Sequence, residues 1–113
     1  MIDLYSFGNM IIDGVRYSSD LIIFPDGRVK DSWWRKKGHI LTTEDMSDLI
    51  ASCPEIIIAG TGANGLMRPV REVEKILSKK KIKFINASSA EAVEIYNILS
   101  EKHRVCAGFH LTC

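Results

Sequence analysis

Apolar residues change rhythm at Pro54. Ahead of it they come in short runs bounded by Gly, Asp and Pro, the punctuation of strands and tight turns. Leu4 to Phe7 and Met10 to Ile12 read as strands separated by Gly8-Asn9. Asp13-Gly14 then joins Met10-Ile11-Ile12 to Val15-Arg16-Tyr17, and such a pair supplies the positive φ angles of a type I′ hairpin. Leu21 to Phe24 is a further strand, and Pro25-Asp26-Gly27 reverses the chain into Arg28-Val29-Lys30. Residues 31–41 follow neither a strand nor a helix period and read as an irregular connection.

The next signal is a helix start. Thr42 with Asp45 approximates a capping box, and Leu41 is placed to staple onto Met46. This predicts a short helix over 43–51, stopped before Cys53-Pro54 because proline restricts the residue ahead of it. From Pro54 onward strands and helices alternate. Glu55 to Ala59 reads as a strand covered on both faces. Pro69 suits a first helical turn, Val70, Val73, Ile76 and Leu77 form one stripe, and Lys79-Lys80-Lys81 sit where the helix dipole favours cations. Ile82 to Asn86 is the next strand. Ser88 with Glu91 caps a helix whose inner face carries Ala92, Ile95 or Tyr96, and Leu99. Val105 to Leu111 closes the series with Val105, Ala107, Phe109 and Leu111 on one face. Such alternation predicts parallel neighbours joined by right-handed crossovers. The expectation is one α/β domain over 1–113 with a βαβαβ C-terminal half and a β-rich N-terminal layer.

Composition narrows the function classes. A chain of 113 residues with net charge +1 has no general attraction to nucleic acid or anionic membrane. No run of about 18 apolar residues predicts a transmembrane helix. The N-terminus lacks a signal-peptide pattern, and the odd set Cys53, Cys106 and Cys113 reads as reduced thiols, so a cytoplasmic location is expected.

The segment that comes nearest to naming a chemistry is Gly60-Thr61-Gly62-Ala63-Asn64-Gly65, after Ile56-Ile57-Ile58-Ala59. As G-x-G-x-x-G between a strand and a helix it suggests an anion cradle, with Gly60, Thr61, Gly62 and Gly65 offering backbone N–H groups and Arg68 a cation. A dinucleotide fits poorly. Leu66-Met67-Arg68-Pro69 delays the helix, and the second strand ends in Asn86-Ala87 where an acid would hold a ribose. The simpler reading is a tight turn with Leu66 and Met67 packed inward.

Trp33-Trp34-Arg35-Lys36-Lys37-Gly38-His39 interleaves aromatics and cations. A single-strand nucleic-acid platform is disfavoured by the near-neutral net charge of +1. One tryptophan is expected to plug the core edge while the other points outward, as at protein interfaces. Trp33, Trp34, Arg35, His39 and Met67 are therefore the candidate interaction surface. His39 as a proton carrier near Asp26 or Glu44 is a minor alternative. Cys106, His110 and Cys113 lie too far apart along a strand to share a metal, and no catalytic set, cofactor or metal site is assigned.

Together these residues resemble a known family. They are Tyr5-Ser6-Phe7-Gly8, Ile23-Phe24-Pro25-Asp26-Gly27-Arg28-Val29, Trp33-Trp34-Arg35, Gly38-His39, Gly60-Thr61-Gly62, Glu91 to Asn97 and Phe109-His110-Leu111-Thr112-Cys113. The family is the small domain shared by a mitochondrial complex I assembly factor and an adipogenesis-associated domain protein, formerly a domain of unknown function. This chain resembles its archaeal type member. The resemblance spans nearly the whole chain and implies a three-layer α/β domain with a mixed central sheet and a small added β layer. It attaches no catalytic activity. The functional expectation is a non-catalytic interaction or assembly module with a protein partner, a second copy being one option. The alternative is a small-molecule or anion-binding protein, enzymes included, that uses the Gly60–Gly65 loop.

Overall fold

The computed structural model describes residues 1–113. Strands β1 (Ile2–Ser6), β2 (Asn9–Ile12) and β3 (Val15–Tyr17) form an antiparallel three-stranded sheet. At its second turn Asp13 and Gly14 have φ of 48° and 81°, the conformation a type I′ hairpin requires. Strand β4 (Leu21–Ile23) then turns at Gly27, where φ is 90°, into β5 (Val29–Lys30). After it come β6 (Ile40–Leu41), α1 (Ser47–Ala51), β7 (Ile56–Thr61), β8 (Arg68–Pro69) and α2 (Arg71–Lys79). The chain continues through β9 (Lys83–Ala87), α3 (Ser89–Leu99) and β10 (Val105–His110).

The central sheet has five strands in the order β5-β4-β10-β7-β9. β10 and β9 run parallel to β7, while β4 runs antiparallel to β10. The sheet is therefore mixed, whereas the alternation after Pro54 by itself predicts only its parallel part. Strand β7 is buried at every position because layers cover both its faces. On one side Ile56 and Ile58 join Ile2, Met10, Tyr96 and Phe109, contributed by the three-stranded sheet, α3 and β10. On the other, Ile57 and Ala59 join Trp33, Leu49, Met67, Val73 and Leu77 under α1 and α2. Val105, Ala107, Phe109 and Leu111 do share one face, and Cys106 packs on the opposite one. No helix is long and apolar enough to cross a membrane.

Two local readings are corrected. Pro69 does not open a helix but pairs with Leu41 in a two-stranded parallel ribbon, and α2 starts at Arg71. The ribbon tolerates proline because its bonds are donated from either side: Arg68 N–H to His39 O, and Val70 N–H to Leu41 O. The capping box is present, with Thr42 N–H donating to Asp45 Oδ2 at 2.9 Å and Asp45 N–H to Thr42 Oγ1 at 3.3 Å. It closes a turn, however, and α1 begins only at Ser47. Ser88 and Glu91 cap α3 as expected, the Ser88 side chain accepting from the Glu91 N–H. At the other end of α2, Lys81 adopts φ 59° while Ile82 N–H reaches back to Leu77 O at 2.9 Å, closing the helix.

Candidate functional site

The densest polar cluster lies at the carboxyl ends of β7 and β10, where parallel sheets place their sites. Alternation along β10 turns His110 away from the Phe109 core, and the ladder sets it beside Thr61. The antiparallel register of Phe109 with Leu21 then brings Asp20 to His110. Asp20 Oδ1 accepts the Leu111 N–H at 2.8 Å. Its Oδ2 accepts from Arg35 Nη2 at 2.6 Å and lies 2.8 Å from His110 Nδ1. Arginine carries no acceptor, so the consistent assignment puts a proton on Nδ1, pointed at Asp20. The 3.0 Å approach of Arg35 Nη2 to Nδ1 is then two donors converging on one carboxylate oxygen. Arg35 is further fixed by its Nε, which donates to Gly38 O at 3.1 Å, and by the Trp33 ring, 5.1 Å from its Cζ.

These side chains are largely withdrawn from water, at 5% exposure for Arg35, 18% for Asp20 and 8% for His110. Burial alone would raise the Asp20 pKa, but the Leu111 N–H, His110 and Arg35 outweigh it and hold the carboxyl below its ordinary value. Two buried nitrogens, Arg35 Nη1 and His110 Nε2, have no hydrogen-bond partner. The oriented Asp20–His110 pair leaves Nε2 as a proton acceptor, the geometry of a general base. No hydroxyl or thiol of the chain is bonded to it. His39 packs edge-on against the His110 ring at 5.8 Å between centroids, and not beside Asp26 or Glu44.

The glycine loop borders this cluster but offers no open cradle. The N–H groups of Gly65 and Met67 donate to Gly62 O and Thr61 O, and those of Ala63 and Leu66 donate to the main-chain oxygens of Thr112 and Cys113. Gly62 N–H donates to Ser89 Oγ at 2.9 Å, and that hydroxyl donates onward to His110 O at 2.5 Å. Glycine at 60 and 62 serves close packing. A Cβ at Gly60 would fall 2.5 Å from the Phe109 ring. One at Gly62, where φ is 103°, would fall 2.5 Å from the Cys113 carbonyl and 2.8 Å from His110 Cδ2. Thr61 Oγ1 donates to Ala87 O at 2.9 Å, and Arg68 is exposed on β8. The Gly62 and Gly65 N–H groups that an anion would need are thus taken by Ser89 Oγ and Gly62 O, while the main-chain oxygens of residues 112 and 113 take those of Ala63 and Leu66. Met67 packs inward as the tight-turn reading expects, while Leu66 is 44% exposed.

The tryptophan pair divides as its sequence suggests. Trp33 is buried under β10, its indole N–H donating to Asp45 O at 3.1 Å and its ring against Gly108. Trp34 is 79% exposed. Both line a cleft of about 530 Å³ together with Arg35, Lys36, Glu44 and Asp48. Of the candidate surface Trp33, Trp34, Arg35, His39 and Met67, only Trp34 and His39 lie open to solvent. Asp20 carries no local sequence signal, and His110 draws notice only through its spacing from Cys106 and Cys113. Their partnership spans 90 residues and exists only through the β4–β10 register. Cys106 is instead a core thiol, pushed up to about 11 by burial.

A comparison with curated proteins finds no significant match. Among solved structures, a conserved hypothetical protein from Pyrococcus horikoshii superposes with a TM-score of 0.89 at 26% identity, over 100% of this chain and 99% of that one. A protein named MT938 gives 0.82 at 28% identity, over 100% and 98%. An outer membrane protein from Bartonella henselae gives 0.82 at 26% identity, over 99% and 94%. A family model described as a protein of unknown function (DUF498/DUF598) matches residues 2–110, and the chain belongs to that family.

Proposed function

We propose that the protein is a cytoplasmic, non-catalytic interaction module whose contact point is Trp34. The observation that carries this reading is the contrast along three consecutive residues: Trp33 is 5% exposed, Trp34 79% and the Arg35 side chain 5%. Two buried neighbours anchor the backbone, so the indole between them is presented at little entropic cost. Covering an exposed tryptophan contributes roughly 3–4 kcal/mol at ~25 cal/mol per Å², enough to make one residue dominate an interface.

The test places a photo-crosslinking amino acid at position 34 in cells, with the same substitution at exposed Lys83 as control. A discrete protein adduct from position 34 alone is expected, and Trp34→Ala should weaken the purified complex at least about tenfold. An adduct with a second copy would make the partner the chain itself, to be checked by sedimentation. No adduct together with a strictly monomeric protein overturns the proposal.

A further inference from the structure

The turn after β4 and the residue before β10 meet at the end of the sheet opposite the Asp20–His110 cluster. The antiparallel register, with Ile23 opposite Ala107, carries Phe24-Pro25-Asp26-Gly27-Arg28 alongside Arg104. There Phe24, Asp26, Arg28, Ser52 and Arg104 line a cleft of about 250 Å³.

Each arginine is anchored by groups in that same lining. Asp26 Oδ1 accepts the Arg28 main-chain N–H at 3.0 Å, and its Oδ2 accepts from Arg28 Nε at 2.7 Å. The Arg28 guanidinium carbon lies 5.1 Å from the centre of the Phe24 ring. Arg104 Nη2 donates to Ser52 O at 3.1 Å. Both residues are exposed, and Nη1 and Nη2 of Arg28, with Nε and Nη1 of Arg104, meet no acceptor of the chain. Two anchored forks therefore offer free N–H groups to one cleft, with little side-chain entropy left to lose.

Charge and size select the ligand. Asp26 is the lone carboxylate of the lining, so the two guanidiniums leave it with a net charge of +1. Neighbouring Glu55 is committed to the Arg104 N–H at 2.8 Å and faces His103. The volume falls below the roughly 300–1,000 Å³ of drug-sized sites, so a small oxyanion fits better than a bulky organic ligand. A carboxylate has two oxygens, enough for one bidentate fork. A phosphoryl group has three strongly accepting oxygens, enough for two forks to share.

From these features we infer that the cleft binds a phosphoryl group, free or esterified, with its oxygens shared between Arg28 and Arg104. This site is independent of Trp34.

The test titrates the full chain at constant ionic strength with inorganic phosphate, a blocked phosphoserine tripeptide and acetate, followed by arginine side-chain NMR. Phosphate and the phosphopeptide should saturate, with Arg28 and Arg104 resonances moving along one curve. Acetate should bind at least about tenfold more weakly. Arg28→Gln and Arg104→Gln should each weaken phosphate at least about tenfold, while Arg16→Gln, an exposed arginine on β3, should not. Should Arg104→Gln fail to fold because Ser52 loses its donor, Arg28→Gln on its surface turn carries the same test. Equal affinities for phosphate and phosphopeptide support a site for free phosphate. A phosphopeptide bound at least about tenfold tighter supports a site for a phosphorylated side chain. Phosphate and phosphopeptide that never saturate, acetate that matches phosphate, or Arg28 and Arg104 resonances that stay still overturn the inference. A position-34 adduct without phosphoryl binding would leave the interaction module standing and remove this site.

Discussion

Replacing Asp20 with Asn tests the buried cluster most directly. The carboxylate accepts from the Leu111 N–H, Arg35 Nη2 and His110 Nδ1. An amide of the same shape presents one oxygen and one NH₂ group, so at least one of these donors faces another donor, and the Arg35 charge loses its counterion. Removing one partner of a buried pair costs about 3–5 kcal/mol. Asp20 keeps 18% of its side-chain exposure, which places the expected loss at the lower end, about 3 kcal/mol. The assay is urea unfolding followed by tryptophan fluorescence, since Trp33 lies against Arg35. Glu44→Gln breaks an ion pair whose side chains are 66% and 69% exposed, and should leave the midpoint unchanged. Acid provides a second check. Because the folded-state pKa of Asp20 is depressed, its contribution is complete above the ordinary carboxylate value of about 3.9 and is lost as pH falls through the folded value. The gap between wild type and Asp20→Asn should therefore close on acidification. A gap that stays constant with pH, or never exceeds about 1 kcal/mol at neutrality, refutes the reasoning.

Three further outcomes are expected. Gly62→Ala should destabilise by roughly 2–4 kcal/mol, combining positive φ with a Cβ 2.5 Å from the Cys113 carbonyl; Gly38→Ala, which meets nothing within 4 Å, should be near neutral in the same melts. Lys81→Gly should stabilise by about 0.5–1 kcal/mol by relieving a left-handed residue at φ 59°, seen as a raised thermal midpoint. In the native protein at pH 8, maleimide should label exposed Cys53 and spare Cys106, whose thiol is buried and pushed up to about 11; mass spectrometry of tryptic peptides decides, and labelling of Cys106 without denaturant would contradict the packing.

Much of the architecture is legible where short-range chemistry dictates it. Asp13-Gly14 forces its hairpin, Ser88 with Glu91 starts α3, and alternation along 105–111 sorts β10 between two cores. Legibility fails where distant partners decide. Pro69 has a helix-start signature, yet Leu41 and His39, far away in sequence, recruit its neighbours into a ribbon. The polar cluster is hidden for the same reason: Arg35 sits in a segment with no period, 75 residues from His110. The glycine loop shows the converse, a local pattern whose N–H groups are answered from within the chain, by Ser89, by the loop's own carbonyls and by residues 112 and 113.

The position of β10 has a consequence for assembly. It is the last strand in sequence but sits at the centre of the five-stranded sheet, between β4 and β7. Nothing translated before residue 105 can join β4–β5 to β7–β9, so the two halves of the sheet wait as unpaired edges until the final strand emerges. Such non-local closure makes folding slow, with nascent β7, rich in isoleucine, exposed until β10 emerges. Damage to β10 should therefore show first as loss of soluble protein during expression.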